Sequence, residues 1–147
     1  MFKAVSARKT RKGFTLVELA VVIVIIGVLA AFGVPRFMAS VERSKAAEAF
    51  SYLSAVRDSQ ERYSAREGTY ATDLSALDIQ MPAPKYFTVS TVEPGAGTQE
   101  NSWKLMLTRV GAASGYGPYT VVFTDQGYDP TSTIDAIPAI NPMGTPK

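Results

Sequence analysis

An uninterrupted apolar run near the N-terminus limits what this chain can fold into more than any other feature. Leu19 to Val34 reads LAVVIVIIGVLAAFGV and holds no charged or strongly polar side chain. From Phe14 to Pro35, 22 residues, the single charge is Glu18. A helix of this length rises about 33 Å, enough to cross the hydrocarbon core of a bilayer, about 30 Å thick. The sequence therefore predicts one membrane-spanning helix over residues 14–35.

The residues before this run set its orientation. They carry five basic side chains and no acid: Lys3, Arg8, Lys9, Arg11 and Lys12. Basic segments beside a membrane helix stay in the cytoplasm, so the N-terminus is predicted inside and the rest outside. The alternative is a secretory signal peptide that is removed, with Ala30 and Ala31 near the cut. The 16-residue run is long for such a peptide and no clean A-x-A pattern accompanies it, which favours a retained anchor.

Glu18 is the unusual residue of this segment. A carboxylate in a membrane helix costs up to about 3 kcal/mol at the bilayer centre and is rarely left without a partner. No Lys or Arg lies three or four residues further along the helix, and Gly13 to Thr15 offer none before it. The partner then comes from a new chain end or another subunit, or the side chain extends to the lipid headgroups.

The segment Lys12 to Leu19, KGFTLVEL, resembles the leader junction of type IV pilins and type II secretion pseudopilins. The short basic leader, the apolar run, Gly27 and Pro35 complete the resemblance. It implies that a prepilin peptidase cuts between Gly13 and Phe14 and methylates the new amino terminus at Phe14. Residues 1–13 are then a cleaved leader. The cationic amine created at Phe14 supplies the charge that Glu18 of a neighbouring subunit lacks, so Glu18 is the predicted assembly residue.

Three residues can bend this helix. Gly27, Gly33 and Pro35 are tolerated as ordinary breaks in membrane helices, and Pro35 removes a backbone hydrogen bond. In pilin-like proteins this region bends or melts when subunits pack, so the resemblance favours a helix bend at these positions.

Residues 36–67 continue as an amphipathic helix. Its apolar residues recur at spacings of three, four and seven: Phe37, Val41, Phe50, Leu53, Val56 and Tyr63. This face is predicted to carry a sheet. The charged residues, Glu42 among them, are predicted to form a solvated or intersubunit face. Gly68 is expected to end the helix in a left-handed conformation.

Residues 68–147 are predicted to form a connector loop, a sheet and a tail. Three runs have the pattern of strands, Lys85–Val92, Ser102–Val110 and Pro118–Thr124, and suggest an antiparallel meander. The inward residues are predicted to be Phe87, Val89, Trp103, Leu105, Leu107, Tyr119, Val121 and Phe123. The Pro-rich tail from Asp125 is expected to wrap the sheet or extend loosely. The fold class is α+β, a long N-terminal helix packed on about three strands, as in type IV pilins.

Composition excludes several classes of function. The chain has no cysteine and no histidine, which removes disulfides, the usual zinc sites and histidine-based triads. Ten basic residues against thirteen acids outside the leader argue against binding to duplex nucleic acid. Asp125, Gly127 and Asp129 offer two carboxylates, too few for a calcium site, so a plain turn is favoured there. The sequence predicts no enzyme, no cofactor and no metal.

The predicted function is structural. The chain is expected to be a subunit of a type IV pilus-like filament, with a type II secretion pseudopilin as the alternative and a minor pilin for DNA uptake or surface binding as a weaker one. The resemblance implies identical and related subunits, a prepilin peptidase, a platform protein and an assembly ATPase as partners. The precursor is expected in the inner membrane, and the processed protein in an extracellular or periplasmic filament.

Overall fold

A long helix followed by a small sheet makes up the computed structural model, which describes residues 13–112 and 115–144. Helix α1 spans Leu16–Glu67, and the strands are β1 (Phe87–Val89), β2 (Lys104–Arg109), β3 (Thr120–Thr124) and β4 (Gly127–Tyr128). Short 3-10 helices lie at Leu74–Ala76 and Thr133–Ala136. The sheet is antiparallel with order β1-β2-β3-β4, so the α+β prediction is confirmed. The predicted leader before Gly13 lies outside the described residues.

The chain divides after Arg36 into two compact units. In the first, apolar side chains of α1 such as Ile23 (68% exposed) and Leu29 (67%) face outward on all sides. Within the described residues, α1 is the one helix long and apolar enough to cross a membrane. The helix is continuous through Gly27, Gly33 and Pro35. The bend at these residues stays a prediction about packed subunits.

In the second unit, α1 packs on one face of the sheet. Seven of the predicted inward residues are buried, and Val89 is half-buried against them: Phe87, Trp103, Leu105, Leu107, Tyr119, Val121 and Phe123. Strand residues alternate between the two faces, which explains why the pattern was readable. Phe50, Leu53 and Val56 of the helix are buried as predicted. Gly68 has a φ of 76° directly after the helix, which confirms the predicted cap.

The buried face of α1 is wider than predicted and partly polar. Phe37 is 67% exposed, and Val41 and Tyr63 are only half-buried. Small and polar residues are buried instead: Glu42, Ala46, Ala49, Ser59 and Gln60. Of these, Gln60 bonds to the backbone of Ala71 in the connector loop. Small side chains let the helix backbone approach the strands, so the contact does not follow hydrophobicity alone. The predicted solvated position of Glu42 is wrong, because this side chain is 1% exposed.

The tail also differs from the prediction, since it contributes to the core and adds a fourth strand. A turn at Asp125 and Gln126 leads into β4, where Gly127 has a φ of 105°. Ile134 and Ile140 are fully buried. Two residues are too few for a recognisable strand pattern, so β4 was missed. The observed strands are also shorter than the predicted runs.

Beyond β4 the tail covers the outer edge of β3 with side chains. The Thr120 backbone N–H donates to Thr133 Oγ1 at 2.7 Å, and the Val122 N–H donates to Ser132 Oγ at 2.9 Å. The Asp129 N–H donates to the Val122 carbonyl at 2.9 Å. Two hydroxyls thus take the place that the carbonyls of a longer β4 would hold.

Candidate functional site

The first turn of α1 holds Glu18 in a reciprocal cap with Thr15. The Thr15 backbone N–H and hydroxyl donate to Glu18 Oε2 at 2.8 and 2.9 Å. In return, the Glu18 N–H donates to Thr15 Oγ1 at 3.1 Å. This is a capping box, in which a Thr before the helix and a Glu three residues later satisfy each other's backbone donors. The helix N-terminus also carries partial positive charge, which favours a carboxylate there.

The carboxylate remains open to a cation. Among the described residues, no Lys or Arg lies within 4.0 Å of Glu18. Phe14 is 82% exposed, and nothing lies within 4 Å of the position a side chain would take at Gly13. The chain is non-helical from Gly13 to Thr15. This backbone is therefore non-helical and accessible.

Of the residues predicted to form the site, the structure brings three together. Gly13, Phe14 and Glu18 lie within the first turn of α1 or directly before it. Gly27 and Gly33 lie further along the helix, with open space where a side chain would stand. Sequence reasoning missed Thr15, although the T-x-x-E spacing was a readable signal.

A second charged group, not predicted, lies inside the second unit. Arg109 Nε and Nη2 donate to the two Glu42 carboxylate oxygens at 2.5 and 3.1 Å. The Tyr119 hydroxyl donates to Glu42 Oε1 at 3.0 Å. Arg109 also donates to the carbonyls of Tyr86 and Val110. The cluster joins α1 to β2 and to Tyr119, the residue directly before β3.

The electrostatics of this cluster favour the ionised pair. Burial on its own raises the pKa of Glu42, but the hydrogen bonds from Arg109 and Tyr119 and the Arg109 charge outweigh it and lower the pKa. Burial, followed by the Glu42 charge, raises the pKa of Tyr119, so this hydroxyl stays protonated. Arg109 occupies an inward strand position after Leu105 and Leu107, which was a readable sign of a buried partner.

The segment Asp125 to Asp129 forms a turn and the start of the tail. Asp129 Oδ1 accepts from the Thr131 backbone N–H at 2.8 Å, and Asp125 Oδ2 accepts from the Gln126 amide. The described residues hold no group of three acidic, Cys or His side chains placed to bind a metal ion. Further along, burial raises the pKa of Tyr128 to about 12, and its hydroxyl donates to Asp135.

Comparison with known proteins places the first turn within a defined motif. A family model described as the prokaryotic N-terminal methylation motif matches residues 8–34. The fimbrial protein EcpC of Eikenella corrodens is 35% identical over 91 residues, 62% of this chain and 60% of that protein. A Pseudomonas aeruginosa fimbrial protein is 33% identical over 92 residues, 63% of this chain and 58% of that protein.

A secretion protein is similarly related. The type II secretion system core protein G of Escherichia coli K12 is 37% identical over 78 residues, 53% of this chain and 54% of that protein. The aligned region spans 54–60% of the length of these three relatives.

Proposed function

We propose that this chain belongs to the family of type IV pilins and type II secretion pseudopilins and is a structural subunit of a pilus-like filament. The observation that carries the proposal is the coincidence of three features at one place. The methylation motif at residues 8–34 contains the capped Glu18 and the exposed apolar helix. An exposed apolar helix of this length would be unfavourable in a protein that worked as a monomer in water, and the motif and Glu18 would have no role there.

The proposed organisation assigns a role to each segment. Residues 1–13 are a leader, residues 14–35 span the membrane and later form the filament core, and residues 36–67 form the amphipathic half of the helix. Residues 68–147 complete the outer part of the subunit. The N-terminus of the precursor lies on the cytoplasmic side of the inner membrane, and the processed subunit becomes part of an extracellular or periplasmic filament.

Cleavage and assembly are linked through one charge pair. A cut after Gly13 creates a cationic amine at Phe14, and Glu18 of a neighbouring subunit accepts it. In the single chain, Thr15 satisfies Glu18 Oε2. Assembly then adds a partner to a carboxylate that is already held in place. A buried pair of this kind adds little net stability, but a mismatched stagger leaves a buried charge without a partner, so the pair selects the register between subunits.

Extraction of the apolar helix from the bilayer requires an input of free energy from other proteins. The apolar side chains from Leu16 to Val34 are largely exposed in the single chain and suited to lipid or to helices of other subunits. Removing such a segment from lipid before the new contacts form is unfavourable. We therefore propose an inner-membrane platform protein and an assembly ATPase as partners, beside the prepilin peptidase.

A pseudopilin of a type II secretion system is the second candidate, and the similarity to core protein G favours it. The fimbrial relatives align with a larger share of this chain, which favours the pilus. Fibres sheared from unmanipulated cells would contain this chain if it builds a pilus. Loss of exoprotein secretion after deletion, with no surface fibre, would decide for the pseudopilin.

Mass spectrometry of the protein from its native cells tests the processing step. A mature N-terminus at Phe14 that carries one added methyl group is expected. An intact Met1, or a start near Phe32 as a removed signal peptide would give, would contradict the proposal.

The variant Glu18→Ala tests the assembly step. We expect normal processing at Phe14 but loss from filaments, because the neighbour's amine is left without its carboxylate. Glu48→Ala is the matched control, since it removes a half-buried carboxylate from the same helix at a position outside the methylation motif. Immunoblots of sheared filaments and of membranes measure the distribution, and incorporation of Glu18→Ala at the wild-type level would rule out the pairing.

A further inference from the structure

Charge is distributed unevenly over the second unit. Its distal end is defined here as the part gathered around the last turns of α1. The loop before β2 belongs to it, because the Tyr70 N–H donates to the Gln99 carbonyl at 3.2 Å and Gln99 Nε2 donates to the Ala71 carbonyl at 3.1 Å. Among the residues that the structure describes, this end carries four cations, Arg57, Arg62, Arg66 and Lys104. It carries nine carboxylates: Asp58, Glu61, Glu67, Asp73, Asp78, Glu93, Glu100, Asp125 and Asp129.

The opposite end of the second unit lies around the turns of α1 that follow Phe37. Its balance of positive and negative charge is different. Its cations are Arg43, Lys45, Lys85 and Arg109, and its three carboxylates already accept hydrogen bonds within the unit. Glu42 accepts from Arg109, Glu48 from the Lys85 backbone N–H at 3.3 Å, and Asp135 from Tyr128 and Asn141. Lys45 Nζ also lies 3.7 Å from Glu42 Oε2, and the buried Glu42 pairs with Arg109. With four cations against three carboxylates, this end has a small excess of positive charge, whereas the distal end has an excess of five carboxylates.

Three residues form one surface at this end, called the proximal surface. Lys45 Nζ lies 4.9 Å from the centre of the Tyr86 ring, and Lys85 precedes Tyr86 in the chain. Tyr86 is 43% exposed, with the Arg109 guanidinium 5.4 Å from the centre of its ring. A half-exposed aromatic ring beside two cations is a combination that protein interfaces use, since aromatic residues are enriched there.

We propose that the proximal surface, Lys45, Lys85 and Tyr86, docks on the acidic distal end of a second copy of this chain. This inference rests on the proposed function. In a filament whose subunits all point the same way, the proximal end of one subunit faces the distal end of another, which is a heterologous contact. Opposite charges on those two ends attract and suppress wrong arrangements. An anionic lipid surface would also attract the cations, but it would leave the acidic end without a role.

Lys85→Glu in the full chain tests the contact, with Arg66→Glu as its control. Both replace an exposed cation by a carboxylate, but Arg66, 66% exposed, lies at the distal end. We expect the filament fraction of Lys85→Glu to fall about three- to tenfold, because an attraction becomes a repulsion. Arg66→Glu should enter filaments at the wild-type level or above. Immunoblots of sheared filaments and membranes measure both.

Reversing charges at the distal end should restore the entry of Lys85→Glu into filaments. Lys85→Glu combined with Glu67→Lys and Glu100→Lys is expected to recover most of the lost filament fraction. Normal incorporation of Lys85→Glu, an equal loss with Arg66→Glu, or no recovery in the combined variant would overturn the proposal. A loss of Lys85→Glu from filaments that appears only in cells with membranes rich in anionic lipid would point to lipid and would also overturn it.

Failure of this inference is separable from failure of the proposed function. Wild-type chain that is cut at Phe14 and found in filaments upholds the function, whatever the charge variants do. Absence of the wild-type chain from any filament would instead remove the function itself. The fluorescence of Trp103, fully buried in the same unit, should be unchanged in each variant, and this shows that the fold is intact.

Discussion

Glu18 and Glu42 lie on the same helix in opposite surroundings. Glu18 is exposed in the single chain, and within residues 13–112 and 115–144 it accepts hydrogen bonds only from Thr15, one turn away. Glu42 is buried and binds Arg109, 67 residues further along the chain. A change at Glu18 should therefore affect contacts between subunits, whereas a change at Glu42 should affect the fold of the second unit.

Removal of one partner of the buried pair should be strongly destabilising. Glu42→Gln leaves the Arg109 charge buried without its counterion, and about 3–5 kcal/mol of unfolding free energy should be lost. The apolar double variant Glu42→Leu with Arg109→Met should lose much less, because no buried charge is left. Urea unfolding in detergent micelles, followed by Trp103 fluorescence, measures both. Equal losses in the two variants would show that the charge pair is not the cause.

The Glu42–Arg109 pair should also make the unfolding free energy of the second unit depend on pH. Hydrogen bonds and charge from Arg109, with the Tyr119 hydroxyl, hold the pKa of folded Glu42 below the value of 4.5 expected in the unfolded chain. Its stabilisation is therefore complete above pH 4.5 and lost as the pH falls through the folded-state pKa. The difference in unfolding free energy between wild type and Glu42→Gln should narrow below pH 4.5. A constant difference from about pH 7 to pH 3 would contradict this.

At the scale of elements, periodicity explains what could be predicted. The long helix and three strands follow from repeats of 3.6 and 2, which fix the inward side of β2 and β3. The rotation of α1 could not be obtained in this way, because Ala46, Ala49 and Glu42 contact the sheet through size and charge. Glu42 also depends on a distant residue, and one sequence does not pair positions so far apart. The tail was missed because Ile134 and Ile140 stand singly in a Pro-rich segment.

The hydroxyl cover on β3 can be removed by a double substitution. Ser132→Ala with Thr133→Val leaves the backbone N–H groups of Val122 and Thr120 without acceptors, and the Val122 bond is buried. We expect a loss of about 1–3 kcal/mol in unfolding free energy and faster hydrogen exchange at these two amides. Thr131→Val is the matched control, because the exposed Thr131 contributes no side-chain hydrogen bond among the described residues. Unchanged exchange in the double variant would contradict the assigned role of the hydroxyls.

At the scale of the whole molecule, the two compact units should respond to substitution separately. Trp103, the single tryptophan, is fully buried in the second unit, so its fluorescence reports the unfolding of that unit. Glu18→Ala, in the first unit, should leave the urea midpoint seen by Trp103 unchanged while it abolishes filament entry. A shifted midpoint would mean that the assembly defect arises from misfolding.

The hydroxyl groups that cover the edge of β3 matter where many copies of the second unit are packed closely together. In a filament, many copies of the second unit would stand side by side, a crowded state in which open sheet edges readily join from chain to chain. Ser132 and Thr133 occupy the hydrogen-bonding groups that such joining would use. In the proposed filament, neighbouring subunits would then associate through side chains and not through backbone hydrogen bonds. The arrangement of subunits would then depend on complementary side chains, because backbone pairing between strands would not discriminate between partners.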